Sequence, residues 1–133
     1  MPFPIEEQWI EETERKLGVR FPDSYRVSMK RLNGGEIKAA KEWWTLHPIL
    51  DKSDLKRIKR TCNDVVHETT YHKSWPGFPE NACAIAANGY GDQLIFLSSH
   101  TSPTTFDRAV YYWNHETREV NTIAEDFADL RRK

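Results

Sequence analysis

The sequence predicts a domain that mixes helices with β-hairpins, and three observations lead there. Ala82 to Leu97 reads as two apolar runs joined by Asn88-Gly89-Tyr90-Gly91-Asp92, residues that suit turns and positive φ, which makes a central β-hairpin. Residues 5–35 read as two amphipathic helices joined by a short loop and stopped by Asn33-Gly34-Gly35, an αα-hairpin with one buried face. The chain has 133 residues, 38% of them hydrophobic and 12% aromatic, so it can bury a core without disulfide or metal support.

In chain order, Pro2 and Pro4 keep the start extended, and Glu6, Glu7, Glu11 and Glu12 complement the positive end of a first helix ending at Leu17. Ile5, Trp9, Ile10, Thr13 and Leu17 recur at helical spacing, and Gly18 supplies the stop. Phe21-Pro22 opens a second helix, with Pro22 near its first position and with Tyr25, Met29 and Leu32 on one face. Short strands are expected at Ile37 and from Trp43 to Leu46, closed by His47-Pro48.

Asp51 and Asp54 have the spacing of a capping box for a third helix. Leu55, Ile58, Cys62, Val65, Val66 and Thr69 would line its apolar face, and Lys56, Arg57, Lys59 and Arg60 its basic one. Ser74 to Pro79 cannot be regular structure, with two prolines and a glycine in six residues. The two strands of the central hairpin show almost no polar alternation, so both of their faces should be covered. Ser98 to Asp107 is a polar loop, Val110 to Trp113 a strand, Asn114 to Glu119 a turn and Val120 to Ile123 the return strand. Ala124 to Arg131 is expected to be a short closing helix anchored by Phe127 and Leu130. No repeat or linker divides the chain, so residues 1–133 are taken as a single domain.

Charge excludes a global field for nucleic acid or membranes, since 19 Lys and Arg face 20 Asp and Glu for a net −1. The charge is unevenly placed, because residues 20–60 hold eleven basic side chains against five acidic ones. Cys62 and Cys83 have no metal or redox spacing and read as reduced core thiols. The start lacks the basic and apolar regions of a secretory signal, and no apolar run is long enough to span a bilayer, so a cytoplasmic protein is expected.

Motifs that carry chemistry are weak. His67 and His72 are separated by five residues, whereas two histidines that share a metal on one helical face need four. Gly89-Tyr90-Gly91 precedes a strand rather than the helix that a phosphate loop requires. Ser98-Ser99-His100 has no nucleophile elbow, and Cys62 has no evident base. Asp92, Asp107 and Glu116 have the chemistry of a carboxylate pair, but nothing in the sequence brings them together. The expectation is therefore no enzyme, no metal and no cofactor.

Trp43-Trp44 is more informative, because adjacent strand residues point to opposite faces and one ring should face outward. Exposed aromatic side chains concentrate binding energy. The candidate partner-binding residues are Trp43, Trp44, Tyr90, Asp92, Tyr112 and Asn114.

The run from Ile10 to Gly18, followed by Phe21-Pro22, Tyr25, Met29 and Asn33-Gly34-Gly35, closely resembles the opening motif of the SUKH superfamily. Trp44 with Leu46 and Pro48 resembles the next strand of that family. Ala84 to Asp92 resembles its Gly-Asp strand turn, and Val110 to Glu116 with Val120 to Leu130 resembles its closing hairpin and helix. The resemblance implies an α+β fold, a single domain with a central, largely antiparallel sheet flanked by helices. It also implies function by protein binding, most often as an immunity protein that neutralises a cognate toxin domain, acting as a monomer or weak homodimer. The alternatives are a regulatory or scaffold protein of the cell-wall assembly type, and a nucleic-acid binder using the basic helix of residues 51–69. Asp92 is the polar motif residue that the resemblance carries over as a functional candidate.

Overall fold

The computed structural model describes residues 2–133. Its seven strands form one antiparallel sheet in the order β6-β5-β4-β3-β2-β1-β7, with β1 Glu36–Ala39, β2 Glu42–Leu46, β3 Ala82–Ala87, β4 Gln93–Leu97, β5 Val110–Trp113, β6 Val120–Ala124 and β7 Arg131–Arg132. The helices are α1 Glu7–Leu17, α2 Asp23–Arg31, α3 Leu55–Thr61 and α4 Val65–His72, with a 3-10 turn at Phe127–Asp129. The expected α+β class, with helices beside a largely antiparallel sheet, is what forms.

The central strands β3 and β4 are covered on both faces, as their unbroken apolar character requires. Cys83, Ile85, Leu94 and Phe96 enter the main core with Phe21, Tyr25, Phe106 and Phe127. Ala82, Ala84 and Ile95 alternate with them and meet Trp113 and Phe78 in a second, smaller cluster. In the main core Tyr25 packs edge-on against both Phe96 and Phe127, each at a centroid distance of 5.1 Å, a favoured aromatic geometry. Strand β2 pairs with β3 only at Thr45–Ala87 and Leu46–Ala86. The Ala84 N–H, beyond that pairing, donates to Thr69 Oγ1 of α4 at 2.9 Å, so a helix side chain satisfies part of the strand edge.

Glu14 and Arg26 join the first two helices. The guanidinium donates to the carboxylate at 3.2 Å with both side chains largely buried, and the same carboxylate accepts the Phe21 N–H at 2.8 Å. Pro22 stands one position earlier than expected, as the N-cap of α2. Leu32 lies beyond the helix end in extended backbone and is exposed rather than sharing the Tyr25 and Met29 face.

Two expectations are corrected. The single helix expected over residues 51–69 is two helices, α3 and α4, because Asp64 is extended and caps a new start by accepting the His67 N–H at 2.9 Å. Asp54, not Asp51, caps α3, accepting the Arg57 N–H at 2.8 Å. An aspartate side chain that bonds nearby backbone competes with helix continuation, and here it wins. The break takes Leu55 and Cys62 off the core, leaving both exposed, while Cys83 remains buried. The closing helix is likewise only one 3-10 turn, capped by Asp126, after which Arg131 and Arg132 pair with Lys38 and Ile37 as β7. Strand β6 runs through Ala124 and Asp126 is itself extended, accepting the Ala128 N–H, so only one turn fits before the chain pairs with β1. The Arg132 guanidinium also donates to the carbonyls of Ser28, Leu32 and Gly34, tying β7 to the end of α2.

Candidate functional site

Strand register places three hairpin turns at the same end of the sheet. Ala39 pairs with Glu42, Ala87 with Gln93 and Trp113 with Val120, and the antiparallel order carries all three connections to one edge. Asp92 sits at the meeting point of the second and third turns.

Asp92 is buried, 7% exposed, and its carboxylate collects four donors from three segments. Oδ2 accepts the Tyr112 hydroxyl at 2.6 Å and the Asn88 side-chain amide at 3.1 Å. Oδ1 accepts the His115 N–H at 3.0 Å and lies 2.6 Å from His115 Nδ1. Burial by itself raises the carboxyl pKa, but the bonds from Tyr112, His115 and Asn88 outweigh it and hold Asp92 below the ordinary value of 3.8. The Tyr112 hydroxyl moves the other way, raised by burial and by donating to that carboxylate. Gly91 allows this closure, because at φ +105° a β-carbon there would lie 2.9 Å from the His115 ring.

Of the predicted site residues, the structure brings Asp92 and Tyr112 into direct contact. Asn114 joins them through the turn that it shapes, since its side-chain carbonyl accepts the N–H groups of Glu116 and Thr117. Tyr90 stands 77% exposed at the tip of the β3–β4 turn. Trp43 is 40% exposed on β2, with Lys38 Nζ at 5.9 Å from its ring centroid. Trp44 points to the opposite face, as strand parity demands, and offers no surface to a partner. It is 1% exposed, its indole N–H donates to the Ala39 carbonyl at 2.9 Å, and its ring meets Tyr112 edge-on at 5.1 Å.

Sequence reasoning missed His115 and Asn88, which complete the Asp92 network. Each lies in a predicted turn, and that was their only signal. Other singled-out groups have structural positions. His72 is buried with Nδ1 on the Glu68 carbonyl at 2.8 Å, while the His67 side chain is exposed and does not share its surroundings. His47 is buried against Gln93 at 2.8 Å, and burial lowers its pKa. Burial pushes the Cys83 thiol up to about 12, so it stays protonated at neutral pH. Among the described residues, no group of three or more His, Cys, Asp or Glu side chains is placed to hold a metal, and no helix is long and apolar enough to cross a membrane.

The fold and this turn-rich end define an α+β domain in which one antiparallel sheet presents its hairpin turns together. The family model described as SMI1 / KNR4 family (SUKH-1) matches residues 4–133, and the chain belongs to that family. No curated protein matches it. It is thus a SUKH-domain protein, the class to which its motifs pointed.

Proposed function

We propose that this chain is a non-enzymatic, protein-binding immunity protein that works in the cytoplasm by occupying a toxin domain and blocking its action. The observation that carries this reading is aromatic surface at the hairpin turns: Tyr90 stands exposed on the β3–β4 turn that the Asp92 network braces, and Trp43 is exposed on β2 near the β1–β2 turn. Aromatic anchors held by rigid backbone bind with little entropy to lose, which is what tight protein recognition needs. Family membership supports a protein-binding role of either the immunity or the cell-wall regulatory kind. The chemistry of Asp92 fits a binding role better than a catalytic one. The Asp92 carboxylate is engaged by four donors and has a depressed pKa, so it is a poor proton acceptor at neutral pH.

The near-neutral net charge of −1 gives little long-range attraction, so association should depend on contact more than on steering. The test is affinity capture with the full chain as bait, followed by co-expression with whatever toxin is recovered. The expected result is restored growth, which Trp43→Ala combined with Tyr90→Ala removes. A housekeeping protein recovered without any toxin would establish the regulatory reading instead. Nucleic acid that elutes at high salt would overturn both.

A further inference from the structure

The outer face of β2, β1 and β7 carries a row made of one aromatic ring and two cations. Register sets Lys38 opposite Trp43 of β2 on one side and opposite Arg131 of β7 on the other, and residues paired in this way share a face of the sheet. All three are exposed, whereas Ile37, Ala39 and Trp44 alternate with them into the core.

Like charges directly opposite each other across a strand pair are destabilising. Lys38 and Arg131 form such a pair, and among the described residues no carboxylate stands within ion-pair distance of either. Glu36, two positions along β1 on the same face, is held by Lys133 at 3.4 Å. Glu42 pairs with the buried Ala39, so strand parity turns it to the other face. Lys38 Nζ lies 5.9 Å from the Trp43 ring centroid, which joins the ring and the charges in one patch. The turn that closes this hairpin adds Lys41, and it holds Ala40 and Lys41 at φ of +50° and +66°. Asn and Gly are the usual residues for a two-residue turn of that kind, so the chain keeps a strained turn beside an unfavourable charge pair.

We propose that this face docks an acidic segment of a protein partner, with its carboxylates at Lys38 and Arg131 and an apolar neighbour against the Trp43 ring. A bound carboxylate between the two cations turns their repulsion into attraction, so the feature that costs stability in the free chain favours the complex. The exposed indole supplies the apolar anchor that a purely ionic contact lacks. A polyphosphate would need a continuous basic track. Here the adjoining row on the same face is Thr45 and Glu36, with Lys133 already tied to that carboxylate. The inference rests on the protein-binding reading and deepens it by naming the chemistry of the partner.

The experiment titrates the isotope-labelled full chain with a capped peptide of three Glu-Leu repeats and follows the amide and indole shifts, with an oligothymidylate as the competing probe. Shifts should concentrate at Lys38, Trp43, Thr45 and Arg131 and spare Gly89 and Gly91. Arg131→Glu should weaken peptide binding about tenfold, the loss of roughly one good charged contact. The same variant should raise the urea midpoint by about 0.2 M, because an opposite-charge pair replaces a like-charge one. Arg131→Lys should keep both the binding and the midpoint of the wild type. Peptide binding that survives Arg131→Glu, a midpoint that does not rise, tighter binding of oligothymidylate at the same amides, or shifts centred elsewhere would each overturn the proposal. So would shifts at this row that follow protein concentration without peptide, since the occupant would then be a second copy. A toxin captured equally well by Arg131→Glu would overturn the acidic-partner inference and leave the immunity reading intact. Peptide binding at this row that Arg131→Glu removes, with no toxin captured, would sustain the inference and overturn the immunity reading.

Discussion

The β3–β4 and β5–β6 turns and the cleft beside the Gly34-Gly35 turn hold their charged groups in opposite ways. At the turn end a single buried carboxylate, Asp92, is surrounded by donors from the β3–β4 turn, β5 and the β5–β6 turn. At the cleft end the guanidinium carbons of Arg57 and Arg60 lie 5.0 and 4.9 Å from the Phe3 ring centroid. A buried charge that meets all its partners inside the chain locks backbone together, and its removal is felt as lost stability. A charge held beside a ring near solvent is screened and contributes less to folding. The Asp92 turns are therefore a frame that displays the Tyr90 ring, whereas the charges beside Phe3 lie nearer the surface.

The strongest way to break this contrast is Asp92→Ala. It should cost about 3 kcal/mol by urea denaturation, because the variant leaves buried donors unpaired and loosens two turns at once. A cost near that of an exposed substitution would mean that the network is not a brace. The pH dependence has a definite sign. The folded pKa of Asp92 is depressed, so its contribution is complete above the ordinary carboxylate range and is lost as pH falls through the folded value. The stability gap between the wild-type chain and Asp92→Asn should shrink between about pH 5 and about pH 2.

The cleft end has a frame of its own, and Asn33→Ala measures it. The Asn33 amide donates to the Ile49 carbonyl and its carbonyl accepts the Ile49 N–H, both at 2.8 Å in a buried setting. Truncation should cost about 2 kcal/mol in the same assay. Tyr112→Phe should cost about 1 kcal/mol, since one donor to Asp92 is lost while the ring still packs on Trp44. The smallest effect is expected for Tyr90→Ala, within about 0.5 kcal/mol of wild type, because that side chain is mostly in solvent. If Tyr90→Ala proved as costly as Tyr112→Phe, the tip of the turn would belong to the frame rather than to the displayed surface.

Much of the fold was legible because it rests on short-range rules. The central hairpin, the opposite facing of Trp43 and Trp44, and the β5–β6 hairpin follow from strand parity and turn chemistry. The helix break at Asp64 was misread because hydrophobic spacing continued through Cys62 and Val65 while an Asx side chain took over the backbone locally. The candidate site was legible in part. Asp92 stood out as a carboxylate in a glycine-rich turn, yet its contact with His115 joins residues twenty-three positions apart. No local pattern encodes that distance.

What the sequence by itself determined is the central and β5–β6 hairpins, the opposite facing of Trp43 and Trp44, and the family, because propensity, periodicity and turn preference act within a few residues. Only the tertiary structure decided that the closing segment is a strand beside β1, that Asp92 meets His115, and that Arg57 and Arg60 share the Phe3 ring. Those outcomes depend on which segments end up adjacent once the core has packed. A buried polar group must then find its partner among those neighbours, wherever they lie in the chain.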